Sequence, residues 1–378
     1  MLDLKISTIV LDNGSGITKA GYSGKNEPSC HFSTVVGTAK YPVVAQAGVH
    51  KDFYISEEVF AKAGVLDLTY PISYGLIKDW DNMERIWSHI FSNELKTESA
   101  EHPIFFVDSL NATIEQRQKI SQIFFEKYNV PSVYFQSSDS LALLASGRTT
   151  GLVLDSGEGI TSISAIFEGY KIPQSTQINK IAGHAITSYL IKKMNKDELL
   201  FQTSAERLVA QDIKEKLCYV AADYKDELEK ARTSDQCKKD YQLPDGQTLQ
   251  FNELRFKAPE FLFKPKLWGC EFKGLTELVF SSIMNSDVHS RKDLYENIIL
   301  SGGNTLLTGF SERLNKELSA LAPPSTTINI IQEQDRIYSA WKGASQLCTN
   351  EQFPKMVVTK SEYNDGGAEV IKKKCPLN

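Results

Sequence analysis

At 378 residues, with 41% hydrophobic and 24% charged side chains, the chain is too long for one growing core and too apolar for a disordered class, so two lobes around a cleft are expected. A net charge of −5 with scattered lysines and arginines argues against nucleic acid as a direct partner. No apolar run approaches the roughly 18 residues of a membrane span, and the start MLDLKISTIVLDN lacks the charged-then-apolar build of a signal peptide, which points to the cytosol or nucleus.

The first expected strand, residues 8–12, enters VLDNGSGIT at 10–18. An apolar strand ends in Asp12, Gly14 and Gly16 flank Ser15, and Ile-Thr resumes the strand. Glycines at that spacing permit positive φ and a tight turn whose N–H groups face outward, where phosphate oxygens approach with no side chain between. An Asp at the strand end beside such a phosphate suits a Mg²⁺ ion that keeps most of its waters. Strands at 103–108 and 132–135 follow, with a helical period over 115–127 between them. The next strand, 152–155, leads into VLDSGEGIT at 153–161, identical to the first device at seven of nine positions, with Gly157, Glu158 and Gly159 in the turn. One such turn is more often a plain hairpin than a ligand site. Two gapless copies point to a duplicated phosphate-binding lobe whose turns clamp a nucleotide tail.

Helical period returns over 205–220, and the polar stretch 223–241 reads as a peripheral insertion. A buried strand at 297–300 runs into IILSGGNTLLTGF, 298–310. Its Gly302-Gly303 pair precedes a helix over 309–321 and puts backbone amides beside the cleft. A last strand is expected at 327–331. Strands alternating with helices make the fold class α/β. The six cysteines lack CxxC pairs and metal-ligand spacing, and read as reduced thiols, most of them in the core.

With these turns in place the chain resembles actin and the actin-related proteins over essentially its whole length. The stretches that carry the resemblance are DNGSGITKAG (12–21), YPISYGLIKDWDNMERIW (70–87), SGRTTGLVLDSGEGIT (146–161), DIKEKLCYVA (212–221), LPDGQ (243–247) and RKDLYENIILSGG (291–303). The resemblance implies an actin-like ATPase fold, two duplicated lobes with four subdomains around a nucleotide cleft. Residues 1–145 plus 338–378 would form the outer lobe, with subdomain 2 at about 34–71, and 146–337 the inner lobe, with subdomain 4 at about 183–263. ATP or ADP with Mg²⁺ or Ca²⁺ are the implied cofactors. By the same resemblance Asp12 and Asp155 order waters around the cation and Lys19 reaches the phosphates. Gly14, Ser15, Gly16, Gly157, Glu158 and Gly159 form the phosphate turns, and Gly183, Lys214, Glu215, Gly302 and Gly303 surround the adenosine.

The departures from the family carry as much information. Where the family places the glutamine and histidine that position the attacking water, this chain has Ser138 and Ser162. A serine is too short to replace a glutamine amide, so slow or absent hydrolysis is expected; Gln136 could substitute only if the loop slipped. Ile337, Leu307 and Gln211 replace a lysine, a tyrosine and an arginine on the adenosine side, and Tyr74 replaces a methylated histidine. The inter-subunit loop, 40–51, keeps its length and almost none of its residues, with Val43, Val44 and Ala47 as apolar contacts, and MLDLKIST replaces an acidic N-terminus. The groove for partner helices keeps Ala145, Gly147, Thr149, Tyr170 and Leu347, but Asn350 replaces an apolar residue. Cys375 in KKKCPLN gives a weak prenylation pattern, and the family's own cysteine near this end accounts for it without lipid.

The expectation is a divergent ATP-binding cytoskeletal protein of the cytoplasm, a structural subunit of filaments or of a larger assembly. Its partners would be itself, other actin-family subunits, or actin-binding and complex-specific proteins. The alternative is a nucleotide-locked scaffold that never polymerises, in a dynein-associated, ciliary or chromatin complex. The plug-like segment FKPKLWGCEF (263–272), apolar at Leu267, Trp268 and Phe272 between lysines, suits either. A small-molecule kinase would need a further catalytic carboxylate, and the phosphate turns hold none beyond those assigned.

Overall fold

The computed structural model describes residues 7–40, 51–195 and 201–377. The first residues of MLDLKIST and the apolar positions Val43, Val44 and Ala47 of the expected inter-subunit loop lie outside the described residues.

Each copy of the repeat folds as a hairpin inside its own sheet. Ile9–Asn13 pairs antiparallel with Ile17–Tyr22 and parallel with Ile104–Asp108. Gly151–Ser156 pairs antiparallel with Thr161–Phe167 and parallel with Ile298–Ser301. Around these, the first sheet adds Ser132–Ser137, Val358–Thr359 and Cys30–Ser33, and the second adds Tyr170–Lys171, Gln177–Asn179 and Ile330–Ile331. The same local pattern of one antiparallel and one parallel neighbour explains why both strands read as unbroken apolar runs. Ile9, Val10 and Leu11, like Leu152 and Leu154, are wholly buried, as central strands covered on both faces must be.

Helices pack against each sheet. Ile114–Glu126 starts at Thr113, whose hydroxyl accepts from Gln116 N, and Ser204–Leu217 starts at a capping box made by Thr203 and Glu206; both satisfy amides that a helix start leaves unpaired. The second helix stops short of the expected residue 220 because Cys218 turns extended, at φ −75° and ψ 150°. One apolar core surrounds Trp87, Phe105, Phe124 and Trp341, and another surrounds Leu154, Ile213, Leu300 and Phe310.

Two expectations need correction. The stretch 223–241 is more than an insertion: Asp223 caps helix Tyr224–Thr233, and Ala231 and Cys237 bury against Phe256. Of the cysteines, Cys218, Cys237 and Cys375 are buried while Cys30, Cys270 and Cys348 are partly exposed, so half rather than most sit in the core. Cys375 is also pinned, its carbonyl accepting from Arg117 Nη1 at 2.7 Å.

Candidate functional site

The two glycine turns close alike. Gly14 N donates to Ile17 O at 3.0 Å and Gly157 N to Ile160 O at 3.1 Å. They also meet each other reciprocally. A methyl group on Gly16 would come within 2.7 Å of Glu158 Cβ, and one on Gly159 within 2.4 Å of Ser15 Oγ. Each turn's second glycine therefore makes room for the central residue of the other. This changes the reason for the glycines: none of Gly14, Gly16, Gly157 and Gly159 has a positive φ, and at Gly16 and Gly159 closeness rather than handedness selects glycine. Handedness matters at the third turn, where Gly302 has φ 84° and an added methyl would lie 2.5 Å from both Asp155 Oδ1 and Ser156 O.

The three turns surround a cavity of about 400 Å³, within the usual range for small-molecule sites. It is lined by Asp12, Gly14, Ser15, Gly16, Lys19, Ser138, Asp155, Gly157, Glu158, Gly159, Ser162, Lys214, Glu215, Gly302 and Gly303, and by Gln211, Leu307 and Ile337. Gly183 alone of the expected residues does not line it. It lies beneath Glu158, donating from its N to Gly157 O at 3.0 Å, and a methyl there would strike Glu158 Oε2.

Charge is distributed unequally between the two hairpins. Asp12 stands opposite Lys19 in register, and Asp155 opposite Ser162. Lys19 Nζ pairs with Asp12 Oδ2 at 2.7 Å. Asp155 receives instead a bond from Ser138 Oγ, at 3.3 Å to Oδ2. Burial, with Asp12 and Asp139 nearby, pushes the Asp155 carboxyl up to about 6, against the pull of Lys19 and the Ser138 hydroxyl. Lys214, which the sequence places on a charged helix face, is 4% exposed and reaches Glu158 Oε2 at 2.8 Å. Glu215 stays exposed and accepts from Gln211 at 3.0 Å.

The Ser138 hydroxyl is thus committed to Asp155, and Ser162 is buried beside it. Gln136 does not move in to compensate. It keeps its register opposite Val107 within the unbroken strand Ser132–Ser137 and is not among the residues lining the cavity. The residue that sequence reasoning missed is Asn304. Its buried amide donates to Ser156 Oγ at 3.0 Å and Gly157 O at 2.6 Å, tying the third turn to the second. Its only signal was its place directly after Gly302-Gly303.

The residues fit a nucleotide's phosphates and a cation. Among the described residues no protein acceptor takes the amides of Ser15, Gly16, Glu158 and Gly159, and with Lys19 they form an anion-binding concavity. Asp12 and Asp155 supply two carboxylates beside it. No group of three or more His, Cys, Asp or Glu gathers among the described residues, so a divalent cation held by this pair would keep most of its waters and neutralise phosphate charge.

Fold and site together define an α/β protein with two six-stranded sheets, whose duplicated glycine turns face one cavity, the actin-like ATPase fold. The family model described as Actin matches residues 3–376. The chain belongs to the actin family, whose members generally bind ATP or ADP with a divalent cation.

Replacing Gly16 with Ala sets a methyl against Glu158 and should spread the turns. Titration calorimetry is expected to show Mg²⁺ATP binding weakened by at least about tenfold, since small misplacements of binding groups are costly. An unchanged affinity would mean that the approach of the turns does not shape the site.

Proposed function

We propose that the protein is an ATP-binding structural subunit of filaments or of a larger cytoskeletal assembly, which holds Mg²⁺ATP and hydrolyses it slowly or not at all. The observation that carries this reading is the Ser138–Asp155 bond. Positioning an attacking water takes a donor and an acceptor of sufficient reach beside the terminal phosphate. Here one serine is bonded to the carboxylate meant for the cation's waters, and the other, Ser162, is 2% exposed. Lys19 and the turn amides would take the phosphates, Asp12 and Asp155 would orient the cation's waters, and Lys214, Glu215, Gly302 and Gly303 would border the adenosine. Nucleotide bound in this way stabilises the closed fold by mass action.

The proposal treats residues 1–145 with 338–378 as one lobe and 146–337 as the other. The two apolar cores support that division: the first draws its buried residues from Ile9 to Leu141 and from Ala340 to Cys375, the second from Leu152 to Leu318. Assembly is supported by the plug-like segment. Trp268 is anchored by its Nε1 donating to Tyr189 Oη at 2.7 Å, while Leu267 and Phe272 stay more than half exposed. Exposed apolar side chains on an anchored base suit contact with another subunit. The scaffold reading is favoured by Asn350, exposed where the family resemblance puts the groove for partner helices, with its Oδ1 accepting from Gln352 N; a polar group there weakens contact with an inserted apolar helix. Cytoplasm and cytoskeleton are the proposed location; among the described residues no helix is long and apolar enough to cross a membrane.

High-speed sedimentation with Mg²⁺ATP over a concentration series tests the assembly reading. Pelleting above a critical concentration is expected, and a supernatant that stays full, with and without added actin, would move the choice to the scaffold. The Ser138→Gln, Ser162→His double variant should release phosphate about tenfold faster or more, at the lower end of what positioned proton-transfer groups contribute. No rise would contradict the assignment of these two serines.

A further inference from the structure

Lys171 and Asp139 form an ion pair at 3.0 Å with side chains 7% and 1% exposed, and neither residue lines the cavity. Lys171 ends the short strand Tyr170–Lys171 at the edge of the second sheet, opposite Ile166. Asp139 stands in the first turn of helix Ser138–Ala145, which follows directly on strand Ser132–Ser137 of the first sheet. The pair therefore joins the two sheets. Its other bonds converge on one place. Lys171 Nζ also donates to Ser137 Oγ at 3.1 Å, and Asp139 accepts from Ser164 Oγ at 2.5 Å and from Ser140 N at 2.8 Å. Lys171 thus grips the residues on both sides of Ser138, whose hydroxyl donates to Asp155 Oδ2.

We propose that Lys171 and Asp139 are positioning residues for the cation site: they hold Ser138 where its hydroxyl fixes the Asp155 carboxylate toward the cation's waters. The proposal rests on the nucleotide-binding reading and names the support on which its cation half depends. A buried ion pair can often be exchanged for apolar residues of similar volume with no loss of stability. Stability alone therefore does not account for this one. Its place does. Among the described residues no side chain other than Ser138 donates to the Asp155 carboxylate, whereas Asp12 is held directly by Lys19. The orientation of Asp155 is thus set through Ser138, and that of Ser138 through the pair behind it. Partners that orient a metal-binding carboxylate from outside typically govern metal affinity by roughly tenfold or more.

The test removes both charges at once, Asp139→Leu with Lys171→Met, so that no unpaired charge stays buried. Titration calorimetry then compares Mg²⁺ATP with ATP in EDTA. Mg²⁺ATP affinity is expected to fall about ten- to a hundredfold, while ATP affinity in EDTA stays within about threefold of wild type. A general loosening of the fold would weaken both alike. That outcome, or an unchanged Mg²⁺ATP affinity, would overturn the positioning role. Should the double variant fail to fold, Ser164→Ala removes another bond to the same carboxylate and should weaken Mg²⁺ATP binding selectively, by about threefold or more. No selective loss there would equally overturn the role. A crystal structure of the variant without nucleotide separates this proposal from the site reading. The Ser138 hydroxyl should lie beyond hydrogen-bond distance of Asp155, and a retained bond would sink the proposal. If that bond is broken in the variant, yet the wild type binds no Mg²⁺ATP, the nucleotide reading alone is overturned.

Discussion

Everything in this protein's centre follows from how closely two backbone turns approach. Gly16 lies against Glu158, and Gly159 against Ser15, at distances that leave no space for one methyl group. A pair of turns held that tightly cannot be positioned by loops alone. Each is the tip of a hairpin whose first strand is buried on both faces and paired in parallel to a third strand. The sheets thus act as rigid mounts, and the cavity inherits its shape from them. The carboxylates at the ends of those strands, Asp12 and Asp155, are brought to the same cavity by the same geometry.

Duplication supplies the frame, and divergence between the copies supplies the chemistry. One hairpin carries Lys19 opposite its aspartate and the other carries Ser162. A lysine on both sides would offset the carboxylates' charge, whereas one lysine leaves net negative charge for a cation and a single ammonium for phosphate. The central residues of the turns diverge as well. Ser15 is short and accepts from Gly75 N at 2.9 Å, whereas Glu158 is long enough to reach Lys214 on a separate helix. In the proposed reading, Ser138 and Ser162 lack the reach to hold an attacking water, while Asp12, Lys19, Asp155 and the turn glycines all line the cavity.

The sequence made the repeat, the alternating strands and helices and the three glycine turns legible, because apolar periodicity and glycine spacing are local signals. It was less informative wherever the cause lies far along the chain. The turn glycines looked like positive-φ positions, and the constraint at Gly16 and Gly159 is a neighbour in the other copy. Gly183 packs beneath Glu158, a contact that its local sequence does not announce. Apolar residues at Cys218 and Val220 hid the end of the helix Ser204–Leu217. Asn304 was invisible because an isolated asparagine after two glycines reads as an ordinary turn residue.

The most direct test of the account is the chemical identity of the nucleotide the protein holds over time. The protein would be loaded with Mg²⁺ and ATP labelled at the γ-phosphate, stripped of free nucleotide, and sampled over hours. The account requires the bound nucleotide to remain ATP and to leave as ATP. Bound ADP with free labelled phosphate appearing within minutes would contradict it.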